Sequence, residues 1–483
     1  MPFRVFVSLL CFACAVRAAA AVPSPTIEGP VTGGRGKPFL ADTTFDLASV
    51  GWTEAEYFLS GTATAFTTSA PLGSDGLWIV TPGATAAYKT RIVVHRPTNP
   101  KRFHGTVVVE WLNVSGGIDA PPDWLQGHDQ MLRDGIAWVG VSAQIVGVEG
   151  GTPLVGAVNA PLKKVDPARY GSLHHPGDSF SYDMFSQVAA AIRNPSGPDP
   201  LGGLRVKKII AAGESQSAFR MVTYIDAIQP VAHEFDGFLV HSRAGVGAPL
   251  SEAPQPDLQP ASPTFIRSDV GVPVLTFQTQ TDVTFLEAFS ARQDDTSDFR
   301  LWEVAGTSHV DAYLLGAGLT DVGKSPDVAD LVLTHSPGGV FVCPQDVNSG
   351  PQHFGVDAAV HALDRWVRRG KLPPTAPRLD VDPGPPLHYV LDAHGNATGG
   401  VRTPAVDAPL ATFTGQQEGS LFCLLYGTTT PFDAATLKAL YPTHRAYTSA
   451  VNRSARHAVH AGFLTGPDAR LIEREAAASD VGR

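Results

Sequence analysis

The stretch KIIAAGESQSAFRMVTYI, residues 208–225, constrains the fold more than any other part of the chain. An apolar, strand-type run ends in Gly-Glu-Ser, and a helix-type pattern begins at the next residue. A strand that turns sharply into a helix is the context of a nucleophile elbow, which exposes its central serine at the carboxyl edge of a parallel sheet. The pattern G-x-S-x-G is met at Gly213 and Ser215, but Ser217 stands in place of the second glycine. That position is small chiefly so that the helix can approach the neighbouring strand, and serine is nearly as small. Taken alone, a serine before a helix is more often an N-cap than a nucleophile.

The surrounding chain supplies the rest of such a sheet. Between residues 54 and 113 the runs AEYFLSGTATAF, GLWIVTP, TRIVVHRP and GTVVVEWLN read as strands, being rich in Val, Ile, Thr and aromatics. A helical spacing over 124–132 follows, then the apolar run IAWVGVSAQ, an irregular stretch over 150–179, and a helix in SFSYDMFSQVAAAIRN. The units VKKIIAAGES, FDGFLVHSRAG, VPVLTFQTQTD and FRLWEVAGTSH come next. Fully apolar strands alternating with helices predict a mostly parallel, doubly wound sheet covered on both faces, with antiparallel strands at its N-terminal end. The α/β-hydrolase fold has this layout. A helix with Val356, Val360, Leu363 and Val367 on one stripe closes the pattern. We therefore expect a hydrolase domain over 22–373 and an extension over 374–483 packed upon it. The proline-rich residues 246–268 are too polar for a core, so 244–270 is expected as a lid-like insertion.

Bulk properties remove other classes. With 43% hydrophobic and 17% charged residues among 483, the chain is globular, and a net charge of −10 offers no basic stripe for nucleic acid. The opening MPFRVFVSLLCFACAVRAAAAVPSP has a basic start, a short apolar stretch and small residues, as a signal peptide over 1–21 does. It is too short for a permanent span. A secreted or periplasmic protein without stable membrane insertion is expected. Cys11 and Cys14 fall within that signal, leaving Cys343 and Cys423. In an oxidising compartment these two pair, the alternative being two buried free thiols. The bridge would close a loop of about 80 residues, contributing roughly 4 kcal/mol.

A serine hydroxyl becomes a nucleophile only with a base to take its proton, an acid to orient that base, and donors for the oxyanion. In a doubly wound sheet these groups meet at the carboxyl ends of strands. Ser215 ends one strand, Asp282 follows another in TQTDV, and His309 follows a third in AGTSH. Each is weak evidence by itself. The order Ser, Asp, His, each at a strand end, is the α/β-hydrolase order and points to a catalytic triad. The expected oxyanion donors are the backbone N–H of Gln216 and one from NVSGG, Val114 first and Ser115 next. His241 and Arg243, at the end of GFLVHSR, either line the pocket or solvate a strand end. Specificity is expected in 246–268 and 150–179.

The combination of GTVVVEWLNVSGG, AWVGVSAQ, GESQSA, DGFLVHSR, WEVAGTSHVDAY and GGVRTPAVDAP resembles a largely uncharacterised family of secreted α/β-hydrolase domain proteins with a GESQS elbow, over about residues 50–470. The resemblance implies hydrolysis of carboxylic esters or related acyl bonds and brings no substrate with it; a small-molecule or polymeric ester substrate and no cofactor are expected. Relatives often carry a Glu two residues before the Asp, where this chain has Gln280. An acyltransferase or lyase using the same triad is the alternative reading, and a binding protein with a dead site a further one.

Other motifs are weaker. GLTDVGKS, residues 318–325, matches the P-loop letter for letter but follows no buried strand. HHPGD, residues 174–178, has no partner cluster at zinc spacing, so no metal is expected. Asp294 and Asp295 are adjacent and read as turn residues, not as a glycosidase pair. The sequon at Asn113 lies in the oxyanion loop and is expected to be unmodified.

Overall fold

The computed structural model describes residues 21–155, 158–320 and 343–483. The expected signal segment, except Ala21, and residues 321–325 of the P-loop match lie outside them. The strands are Thr26–Glu28 (β1), Trp52–Thr67 (β2), Thr81–Pro97 (β3), Thr106–Trp111 (β4), Ala137–Val141 (β5), Lys208–Glu214 (β6), Gly237–His241 (β7), Val274–Gln278 (β8) and Phe299–Glu303 (β9). They form one sheet in the order β1-β2-β3-β5-β4-β6-β7-β8-β9. The pairs from β1 to β5 are antiparallel, and those from β5 through β4 and β6 to β9 are parallel.

The apolar runs are continuous because both faces of the sheet are covered. Along β6, Ile209 and Ala211 pack with Phe185, Met221 and Tyr224 on one side. Ile210 and Ala212 pack with Trp124, Val356 and Trp366 on the other. The helices Ser181–Arg193 and Gln216–Thr223 thus cover one face, and Pro122–Asp134 and Gln352–Arg369 the other. This layering aims the carboxyl ends of β4 and β6 to β9 at one edge of the sheet.

One expected strand is absent. GLWIVTP has strand alternation, with Trp78 and Val80 buried and Leu77 and Ile79 exposed. Residues 77–80 nevertheless join no ladder, and β3 begins only at Thr81. Trp78 is anchored instead by its indole N–H on the Gly73 carbonyl, 2.7 Å away.

The antiparallel end is tied to the site by a buried ionic knot. Arg91 on β3 donates to Glu56 at 3.0 Å and to Asp119 at 2.8 Å, with Arg91, Glu56 and Asp119 all withdrawn from solvent. Arg169 completes the knot on Glu56 at 2.5 Å. Asp119 belongs to the loop after β4, so the knot fixes that loop against the sheet.

The excursion 244–270 is stitched down along its length. The Ala248 N–H donates to the Phe219 carbonyl, and those of Ala261 and Phe265 to the Leu72 and Ser74 carbonyls, at 2.8–2.9 Å. Arg220 on the elbow helix pairs with Glu252 at 2.7 Å. Residues 374–483 carry a small sheet of Ala411–Thr414 with Thr428–Pro431 and the helices His444–Ala461 and Gly466–Ala478. They contact the parallel sheet through Phe463 on Trp302, ring centroids 5.1 Å apart, and the covering helix Pro122–Asp134 through Asp468, 2.7 Å from Arg133. Cys343 and Cys423 are disulfide-bonded across a separation of 80 residues. No helix among the described residues is long and apolar enough to cross a membrane.

Replacing both bridged cysteines (Cys343→Ser with Cys423→Ser) frees the closed loop in the unfolded chain and should lower stability by roughly 2–4 kcal/mol. Urea titration of the oxidised protein and the double variant measures this; equal midpoints would show that the bridge adds nothing.

Candidate active site

The elbow is built by close packing. A Cβ on Gly213 would stand 2.9 Å from the Ser217 carbonyl oxygen and 3.0 Å from Met221 Cγ, so only glycine lets the helix return over its own strand. Ser217, where a second glycine was expected, is fully buried. Ser215 adopts φ 57° and ψ −125°, a conformation that L-residues avoid. Its N–H donates to the His241 carbonyl at 2.9 Å, continuing the β6-β7 ladder one step past the strand and holding the turn.

Three side chains meet there. Ser215 Oγ lies 2.7 Å from His309 Nε2, and His309 Nδ1 lies 2.6 Å from Asp282 Oδ1. Asp282 sits in the short helix Gln280–Thr284 after β8, its Oδ2 accepting the Thr279 N–H at 2.6 Å, which leaves Oδ1 for the histidine. His309 comes from the loop after β9, and its backbone N–H donates to Thr281 Oγ1 at 3.0 Å. Gln280, at the position of the relatives' Glu, is turned the other way: its Oε1 accepts the Gly306 N–H.

Burial presses the His309 pKa down, but the carboxyls of Glu214 and Asp282 outweigh it and the net shift is upward from 6.5. Glu214 is the neighbour that sequence reasoning passed over. Burial pushes its pKa up to about 7 against the pull of His309 and His241. Its Oε2 accepts from Asn113 Nδ2 at 3.1 Å, and its Oε1 stands 3.5 Å from His309 Nε2. Its proximity was legible in GES, since the residue before an elbow serine ends the central strand, but its side chain's direction was not. Asn113 also donates to the Glu214 carbonyl and is 8% exposed, so its sequon side chain is occupied within the fold.

Of the expected oxyanion donors, the N–H groups of Gln216 and Val114 meet no acceptor among the described residues. The Ser115 N–H is committed to Asn113 Oδ1 at 2.7 Å, which takes it out of that role. Ser115 instead lines the cavity beside Ser215. His241 and Arg243 do not line it. His241 is fully buried under the sheet, with Nδ1 2.9 Å from Asp123 Oδ1 and Nε2 3.1 Å from Gln352 Nε2. Arg243 is spent on the Ala244 and Thr264 carbonyls. Both therefore brace the strand end.

The cavity over Ser215 and His309 has a volume of about 500 Å³. Leu125, Val155, Val158, Leu314, Leu315 and Phe422 contribute to its apolar wall. The excursion 244–270, expected as a lid over the site, contributes no lining residue; its backbone is bound to the elbow helix and the N-terminal strands instead. The stretch 150–179 does contribute, through Val155 and Val158, whose N–H groups donate to the Ser115 and Gly116 carbonyls. Part of the cover comes from the C-terminal extension, where Phe422, Leu425 and Tyr426 stand beside the disulfide and the Leu425 carbonyl accepts the Val310 N–H at 3.1 Å.

Among the described residues, one group of side chains is arranged so that it could hold a metal ion: His95 Nε2 lies 3.3 Å from Asp42 Oδ2 and 3.2 Å from Glu54 Oε2. None of the three lines the cavity. In HHPGD, His175 is spent on the Ala143 carbonyl and Asp178 on the Ile145 N–H.

A strand-turn-helix serine at the edge of a mostly parallel sheet, facing a histidine-carboxylate pair, defines the hydrolase class of this fold. A family model described as an alpha/beta hydrolase domain matches residues 27–474, and the chain belongs to that family. No curated protein sequence matches it. Among solved structures, a fungal esterase from Rhizomucor miehei is 11% identical over 50% of this chain and 74% of its own, with a TM-score of 0.25. The esterase Est22 is 13% identical over 56% and 78%, with a TM-score of 0.29. A protein described as a putative acetyl xylan esterase, from Bacteroides fragilis, is 11% identical over 58% and 70%, with a TM-score of 0.28.

A general base works only when neutral, and the His309 pKa is raised, so activity should rise with pH through a midpoint above the ordinary imidazole value of 6.5. The acid limb of kcat/KM against pH tests this; a midpoint at or below 6.5 would contradict the electrostatics described.

Proposed function

We propose that the protein is an exported serine hydrolase that cleaves neutral carboxylic esters through a Ser215-His309-Asp282 triad and an acyl-enzyme intermediate. The reading rests on the two short contacts that link Ser215 to His309 and His309 to Asp282 beneath an apolar cavity. With Nδ1–H donated to Asp282, His309 presents the Nε2 lone pair to the serine hydroxyl. It takes that proton as Oγ attacks the ester carbonyl carbon. The Gln216 and Val114 N–H groups receive the oxyanion, and His309 returns the proton to the departing alcohol. Water, deprotonated by His309, then attacks the acyl carbon and releases the acid and the serine.

The wall bears on the substrate. Among the described residues lining the cavity there is no lysine or arginine and one carboxyl, Glu214, which disfavours an anionic ligand. A neutral ester with an apolar acyl or alcohol part fits, each buried methylene adding about 0.8 kcal/mol. The character of residues 1–21 and the Cys343–Cys423 bond support export.

Ser215→Ala should lower kcat/KM for p-nitrophenyl butyrate by roughly 10³-fold or more and abolish fluorophosphonate labelling while leaving the unfolding midpoint unchanged. Turnover that persists in this variant would remove the reading. Product analysis with an acceptor alcohol separates hydrolysis from acyl transfer.

A further inference from the structure

Glu214 has no place in the steps above, yet it is 4% exposed, lines the cavity and sits next to the nucleophile. Its two oxygens differ. Oε2 is held by Asn113 Nδ2 at 3.1 Å, whereas Oε1 is buried with no hydrogen-bond partner among the described residues. A buried carboxyl oxygen left unpartnered is costly, and such groups persist where a ligand or water completes them. Oε1 lies 3.5 Å from His309 Nε2, on the reacting side of the ring and not on the Nδ1 side that Asp282 holds. Glu214 is therefore no substitute for the orienting acid.

We infer that Glu214 holds the hydrolytic water of the deacylation step, accepting one of its hydrogens at Oε1 while His309 Nε2 accepts the other. This rests on the acyl-enzyme reading given above. Once Oγ is acylated it no longer offers a proton to Nε2, and a water oxygen there can reach both acceptors. His309 removes one proton, and the oxygen bonds to the acyl carbon. The acyl C–Oγ bond then breaks as His309 returns the proton to Oγ. Glu214 gains no proton and only fixes the direction of the second O–H. Asn113 keeps Glu214 from turning away, because Nδ2 donates to both its Oε2 and its backbone carbonyl.

Water and alcohol differ in this respect. Water has two O–H groups to place, and an alcohol has one, which His309 must take. An acceptor at Oε1 therefore favours hydrolysis over transfer to an alcohol, so the same residue acts on the choice between the two reaction types.

Glu214→Gln keeps the shape but turns an amide NH₂ toward the water, since the amide oxygen faces the Asn113 donor. With p-nitrophenyl butyrate at a pH well above the His309 midpoint, where the imidazole is neutral in every form, deacylation should slow by roughly 10- to 100-fold, seen as butyryl-Ser215 accumulating in intact-mass spectra, while the rate of fluorophosphonate labelling stays within about threefold. In added methanol the ratio of methyl butyrate to butyric acid should rise several-fold above wild type. Glu214→Asp, which keeps the charge but withdraws it by one methylene, should show the same selective loss, so the result does not depend on one variant folding. Labelling and deacylation falling together, or an unchanged partition ratio in both variants, would overturn the assignment. A wild-type enzyme that forms no adduct at Ser215 would instead remove the acyl-enzyme reading itself.

Discussion

The backbone of Ser215 is the constraint on which the rest depends. Its φ of 57° is a strained conformation, of the kind that costs on the order of 1–3 kcal/mol and persists only where the surroundings over-determine it. Three features do so: the ladder of β6 between β4 and β7, the Ser215 N–H on the His241 carbonyl, and the absence of a Cβ at Gly213. Together they raise the hydroxyl above the sheet edge, where residues from the ends of β8 and β9 can reach it. His241, buried and bound to Asp123, belongs to this support. It shapes the site through its carbonyl and its packing.

The cavity is assembled from parts far apart in sequence. Asn113 and Ser115 come from the loop after β4, Val155 and Val158 from an irregular stretch paired with that loop, and Phe422 and Tyr426 from the C-terminal extension. The extension thus forms part of the wall around Ser215. The disulfide at Cys423 lies within the same short segment, so covalent bonding and pocket shape are coupled there.

The fold was legible because its signal is local. Strands buried on both faces need continuous apolar runs, and helices need periodic ones, so β4 to β9 and their covering helices could be read from hydrophobicity alone. The elbow was legible for the same reason, since glycine at 213 and a small residue at 217 are demanded by contacts within one turn. GLWIVTP shows the limit. Its alternation is that of a strand, but alternation reports which side chains are buried, and Trp78 achieves burial without a ladder. The excursion 244–270 shows another: its proline-rich polarity marks a surface segment, while the surface it lies on is set by hydrogen bonds to residues 72–74 and 219.

The sequence by itself determined the layered sheet, the elbow and the order of serine, aspartate and histidine, because each follows from short-range stereochemistry and from which residues must leave water. Only the tertiary structure decided which side chains face the reacting atoms. Strand ends bring many polar residues to one edge, and the direction of some of these side chains depends on partners over a hundred positions away: Asp123 draws His241 beneath the sheet, and Asn113 turns Glu214 toward His309. Those pairings are long-range hydrogen bonds between buried groups, and nothing in the spacing of residues along the chain encodes them.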